Sequence, residues 1–411
     1  MKILGNSRLK RALSLIFAKK SIKIFFFAPL VLATIYVLTK AYENTSGDFI
    51  YYSKSGGEIF NQINIYETGA RWGTFAAAVS HLLFSFLPST LVNIFLTLAT
   101  PVGGALISKH LGAKVSHACI IGLVILISGS GRENVQNGQV TGFIILLFGI
   151  VLSLPESKAK TIIGTLMILY CVELKPHVSL PLLLFFYKDI KNCLKYLPVA
   201  ALILHSLINL YVGEVLEIDF VTRLISLSNQ DPLNPWPDIN NLLPLVDVFL
   251  NQATIVKAFG LVIYTFLLLR VLTDKHKLQF LVMSALFSPY MHTYDLIGIL
   301  AIVLTSVILN SKSHVTSVYF LALCLIPNMF NSPTLLVLSC ILSLCITLIY
   351  TNSFSLSIDY FTIAIFVISI ILFFAANNSS NDLIGRSAIV VTVCLGLIGL
   401  IDRSSTTKEK R

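Results

Sequence analysis

Charge is scarce in this chain. Only 12% of its 411 residues are Asp, Glu, Lys or Arg, about half the share usual in soluble domains, and 55% are hydrophobic. That shortfall excludes an ordinary water-soluble globular protein. Acid is scarcer still, with 20 Asp and Glu against 30 Lys and Arg, a net charge of +10. The basic excess clusters before and between apolar runs, so it reads as membrane topology, and nucleic acid is not an expected partner. The seven cysteines, Cys119, Cys171, Cys193, Cys324, Cys340, Cys345 and Cys394, lack CxxC spacing, and no His stands at zinc spacing from them. They read as small apolar residues, not as a disulfide frame or a metal site. There is no P-loop, no GxGxxG after a strand, no nucleophile elbow and no DxD or HExxH cluster. A nucleotide sugar, ATP or a catalytic metal therefore has no evident site, and no cofactor is expected.

What the sequence has instead is apolar runs close to the roughly 20 residues that cross a bilayer, repeated almost to the C-terminus. The expected fold is an all-α polytopic membrane protein of about 12–14 spans with short juxtamembrane helices in its outer loops. Lys2, Arg8, Lys10, Arg11, Lys19, Lys20 and Lys23 precede the first run with no acid before Glu43, which predicts a cytoplasmic segment 1–23. The stretch Ile24 to Leu38 reads as a retained signal anchor, because Lys40-Ala-Tyr42 makes a poor cleavage site. One membrane domain over 24–402 follows, with a first outer loop at about 40–87, a second at about 213–252 and a cytoplasmic tail at 403–411. Each Lys/Arg cluster agrees with that threading in an inner cell membrane, both termini inside. Several runs are short, notably 115–129 with 140–154 and 161–173 with 178–187, so these spans are expected to be tilted, broken or partly re-entrant around a cavity. The oligomeric state is not legible.

On this threading four polar outposts share the outer face: Asp48 with Tyr51 and Tyr52; Arg132 with Asn134 and Gln139; Lys175 with His177; and His292 with Tyr294 and Asp295. One carboxylate among cations and imidazoles suits general-base attack on a substrate whose leaving group is a phosphate. Each residue also has a plainer reading. Asp48 is a base or a solvated loop acid; Lys175 and His177 bind a lipid phosphate or anchor at the interface. Arg132 has a buried partner or marks the membrane boundary. Asp295 orients His292 three residues away, or caps the helix that follows.

At these residues the chain resembles the polytopic GT-C glycosyltransferases, and within them glycosyltransferase family 87, the polyprenol-phosphate-mannose-dependent mannosyltransferase group. The resemblance runs from about Asp48 to Leu300. It is carried by Asp48-Phe-Ile-Tyr-Tyr52, Asn64-Ile-Tyr66, Phe86-Leu-Pro88, Asn134 with Asn137-Gly-Gln139, Leu174-Lys-Pro176 and Ser288-Pro289 with His292, in that order. The chain departs from the family pattern at Arg71-Trp72-Gly73 and at Thr141, positions that bear on acceptor and sugar. The resemblance implies a GT-C fold and a non-cytoplasmic active site in cell-envelope polysaccharide biosynthesis. It also implies inverting hexose transfer, mannose-like, from a polyprenyl-phosphate donor to a glycan or glycolipid. Asp48 takes the place of the catalytic base, and Lys175, His177, Arg132 or His292 would face the donor phosphate.

Two other functions compete. An O-antigen or capsule polymerase is expected to use arginines in two large outer loops, whereas Arg71, Arg132, Arg223 and Arg386 are scattered over four. A lipid-glycan transporter is expected to carry ionisable residues inside its spans, whereas here they gather at span ends.

Overall fold

The computed structural model describes residues 34–43, 47–68, 70, 72–216, 219, 241–274, 276–288 and 290–310, with single helical positions between 387 and 401. The basic segment 1–23, most of the first anchor, Arg71, Arg223, Pro232, Pro235, Pro237 and Trp236, and nearly all of the spans and tail expected beyond 310 lie outside them. Among the described residues the chain is all-helical, with no strand.

The segment expected to form the first outer loop holds two short helices, α1 (Asp48–Phe60) and α2 (Thr74–Phe84). Then come α3 (Ser89–His110), α4 (Val115–Ile127), α5 (Gly129–Gln136), α6 (Thr141–Ser153), α7 (Lys158–Leu174), α8 (Pro176–Phe185) and α9 (Tyr187–Val212). After the segment around 213–241 follow α10 (Leu242–Leu250), α11 (Ala253–Thr273), α12 (Lys277–Phe287), a 3-10 turn (Thr293–Leu296) and α13 (Ile297–Asn310).

Three helices, α3, α9 and α11, are long and apolar enough to cross a membrane. Helices α4 and α5, bent by 61° where they meet, make a fourth candidate if they form one broken span. α2, α6, α8, α12 and residues 294–306 are apolar but only 10–17 residues long, below the roughly 20 a straight crossing needs. These include the short runs that the sequence marks as tilted or broken.

The centre of the bundle is the pair α3 and α6, whose backbones approach closely. A Cβ on Gly103 would fall 2.5 Å from the Leu146 nitrogen, so only glycine allows this contact. Gly142 sits in the same seam, where a Cβ would lie 2.1 Å from Thr100 Oγ1. Around it packs one continuous apolar core that includes Leu96, Ile144, Phe148, Ile168, Leu182 and Leu300.

Two expected turns are helical. Residues 129–139 read as a polar turn, but 129–136 form α5, started by Ser128, whose Oγ accepts the Gly131 N–H at 3.1 Å. Residues 188–195 read as an inner loop between two short spans, but α9 runs unbroken from Tyr187 through Pro198 to Gly213, a left-handed C-cap with φ 88°. Lys188, Lys191 and Lys195 lie at i, i+3 and i+7, so they share one face of the helix, and all three are exposed. Beyond them one face of α9 is open, with Leu202, Ile203 and Leu207 exposed and Leu210 80% exposed. That is an apolar surface suited to hydrocarbon.

Candidate functional site

The site begins with two glycines in contact. Gly138 has φ 54°, a left-handed conformation that turns the chain sharply after α5. Its Cα would lie 2.9 Å from a Cβ on Gly47, so the turn docks against the start of α1. The Asp48 N–H donates to Asn137 O at 3.4 Å, and the Gln139 side chain reaches the Asp48 carboxylate through Nε2. Asp48 is half-buried at the first residue of α1, where the helix dipole favours a negative charge.

Gln139 is a bridge. Its Oε1 accepts from Lys175 Nζ at 2.9 Å. A carboxylate can only accept and an ammonium can only donate, so the two neighbours fix the amide's orientation. Lys175 stands between α7 and α8 at φ −147°, ψ 85°, because the residue before a proline is pushed out of the helical region. Pro176 then opens α8 at its first position, where no N–H is needed.

Lys175 and His177 both converge on Asp295. Lys175 Nζ is 3.2 Å from Oδ1 and His177 Nε2 is 3.0 Å from Oδ2. Thr141 Oγ1 donates to Oδ1 at 3.0 Å, and the His292 backbone N–H donates to Oδ2 at 3.0 Å. The Asp295 side chain is 0% exposed, and Lys175 and His177 are 5% and 8% exposed. A charge buried so deeply persists only when paired. Asp295 lies in the 3-10 turn, outside the spanning helices. Burial alone would raise its pKa, but the Lys175 ammonium and the His177 imidazole together hold the carboxyl well below the usual carboxylate range.

Aromatic rings cover this cluster. Lys175 Nζ sits 4.5 Å from the centroid of Tyr294, and His292 stacks on Tyr294 at 4.6 Å with 16° between planes. Tyr290 meets His177 at 4.9 Å and His292 at 5.4 Å, both at steep angles. On the other flank Tyr52 packs edge-on against Trp72 at 4.5 Å. Burial, then the nearby Asp48 charge, pushes the Tyr52 phenol up, so it stays a protonated donor.

The structure thus gathers Asp48, Gln139, Lys175, His177, Tyr52, His292, Tyr294 and Asp295. It separates others. Tyr51 is 62% exposed, away from the cluster. Asn134 is buried but braces the turn, donating to Thr100 Oγ1 at 3.3 Å and accepting the Gly142 N–H at 3.3 Å. Arg132 is half-buried on α5, a helix that packs against the 3-10 turn. Lys175 and His177 are buried and paired with Asp295 inside the bundle. Asp295 and His292 form a reciprocal cap at the head of the turn, each side chain accepting the other's backbone N–H, and the Asp295 carboxylate also meets the imidazole of His177. Tyr290 carried no site signal in the sequence, and Thr141 and Trp72 stood out there only as departures from the family pattern.

A second polar cluster adjoins the first. Glu173 Oε2 accepts the Ala76 N–H at 3.1 Å, Oε1 lies 2.9 Å from His205 Nε2, and His205 Nδ1 lies 3.3 Å from Thr74 Oγ1. Glu173 therefore caps α2 and pins α9 to α7. Gly73 leaves room for it, since a Cβ there would lie 2.2 Å from Glu173 Oε2. Glu173→Ala is expected to cost about 1–3 kcal/mol, the desolvation penalty of the orphaned N–H together with the lost cap. Thermal unfolding in detergent checks this, and an unchanged midpoint would show that the cap contributes nothing.

No known protein family, curated protein or solved structure matches this chain. Function must therefore be argued from the site itself. Chemically, the site offers a half-buried carboxylate at its rim, a buried and internally neutral Lys175–Asp295 pair behind it, and two imidazoles beside aromatic rings. Among the described residues no group of three or more His, Cys, Asp or Glu is arranged to hold a metal ion.

Proposed function

We propose that this protein is a membrane glycosyltransferase of GT-C type that transfers a hexose from a polyprenyl-phosphate donor to a hydroxyl of a glycan or glycolipid. The observation that carries this reading is the bridge from Asp48 through Gln139 to Lys175 and Asp295. It joins a partly accessible carboxylate to a buried ion-pair network drawn from stretches of sequence far apart.

In this reading Asp48 accepts the proton of the acceptor hydroxyl as its oxygen bonds to the anomeric carbon. The bond from that carbon to the phosphate oxygen breaks with inversion, and polyprenyl phosphate departs with the electron pair. Gln139 aims the base. Lys175 already faces Asp295, so the pair brings little net charge to the departing phosphate. The phosphate is assigned to the side of His177 and His292, with Arg132 on the adjoining helix, and Lys175 with Asp295 fixes the imidazole of His177. The donor's lipid tail lies in the bilayer and both chain termini in the cytoplasm.

The purified protein, given a panel of polyprenyl-phosphate sugars and a mixed glycan acceptor fraction, is expected to release polyprenyl phosphate from at least one of them. Absence of release across hexose donors, under conditions where the protein remains folded, would remove the reading.

One observation favours a second reading. An ion pair as buried as Lys175 with Asp295, beside an imidazole, also suits a proton-coupled transporter of lipid-linked glycans. Glycan movement in proteoliposomes that collapses with the proton gradient, without release of polyprenyl phosphate, would select it.

A further inference from the structure

The polar residues of the site are buried or half-buried, and one ring above them is not. Tyr290 is 36% exposed while touching both imidazoles. A continuous chain of contacts leads from it to the rim carboxylate: His177 Nε2 is 3.0 Å from Asp295, Lys175 joins Asp295 to Gln139, and Gln139 reaches Asp48. Tyr290 thus stands at the imidazole end of the network that ends at Asp48.

Its backbone is held in place. Ser288 Oγ donates to the Tyr290 carbonyl at 2.9 Å and accepts its N–H at 3.4 Å, and the Ser288 carbonyl accepts from Asn241 Nδ2 at 2.6 Å. An exposed aromatic ring on a fixed backbone loses little freedom when a ligand settles against it. An aromatic face is electron-rich, and a hexose presents C–H bonds of slight positive character on its apolar face.

The transfer geometry narrows the position. The anomeric carbon must come within about 3–3.5 Å of an acceptor oxygen held by Asp48. The sugar is bonded to a phosphate assigned to the two imidazoles, so its ring spans the interval between them and Asp48. Tyr290 borders that interval. Resting on the glycosyl-transfer reading, we propose that Tyr290 is the platform on which the donor hexose lies, and so a residue that sets the site's preference for a sugar-bearing lipid.

The test compares two lipids, polyprenyl phosphate and polyprenyl-phosphate mannose, binding to the full-length protein in nanodiscs. The wild type is expected to bind the glycosylated lipid more tightly. Tyr290→Leu should lose roughly three- to ten-fold of that preference, while Tyr290→Phe keeps it. The preference is read for each protein as the ratio of its two affinities, and a thermal melt shows that each variant is folded. The proposal is overturned if Tyr290→Leu keeps the full preference. It is also overturned if Tyr290→Phe loses as much as Tyr290→Leu, because the hydroxyl rather than the ring would then make the contact. A wild type that binds both lipids equally removes the platform but leaves the donor reading standing, whereas one that binds neither removes both.

Discussion

Asp48→Asn should leave a protein that inserts and folds but releases polyprenyl phosphate on the order of a hundred- to ten-thousand-fold more slowly, the usual contribution of a positioned general base. Asparagine keeps the shape of the side chain and an oxygen that still accepts from Gln139 Nε2, so the bridge toward Lys175 survives. Only the capacity to take a proton is lost. Single-turnover release of polyprenyl phosphate, measured beside a thermal melt, separates chemistry from folding. Normal turnover in the asparagine variant would place the base elsewhere and dissolve the assignment of Asp48.

The second large effect is on stability. Asp295→Ala strands the Lys175 ammonium in a site where its remaining polar partner is Gln139 and its own side chain is 6% exposed. Breaking a buried pair from one side costs about 3–5 kcal/mol, whereas replacing both partners by apolar groups is often close to neutral. The double change Lys175→Met with Asp295→Leu is therefore expected to melt nearer the wild type than Asp295→Ala does, although it is catalytically poor. A single variant as stable as the wild type would mean that the pair carries no such weight. So would a double variant whose loss is simply the sum of the two single losses.

How much of this was legible in the sequence depends on range. Helices announced themselves because apolar runs between Lys/Arg clusters have one stable form when backbone groups must pair internally. The Lys175-Pro176-His177 turn was legible for a similar reason: proline interrupts a helix and leaves two polar neighbours at the break. The pairing of His292 with Asp295 was half right. Three-residue spacing in a 3-10 turn does bring them together, but as a reciprocal cap through backbone N–H groups, with the ring of His292 also stacked on Tyr294. What His177 receives from Asp295 spans 118 residues, and what Glu173 receives from His205 joins an apparent loop acid to the middle of a helix. No local pattern encodes either. The continuity of α9 was hidden by Pro198 and by lysines that share one exposed face of the helix.

The contact of Gly47 with Gly138 has a further effect on how the protein can change. The position of Asp48 is set by main chain pressed on main chain, while Ile50 and Tyr51, just after it in α1, are exposed at 38% and 62%. Substitutions at those exposed positions can therefore alter the outer surface of α1 while the glycine contact holds the carboxylate where it is.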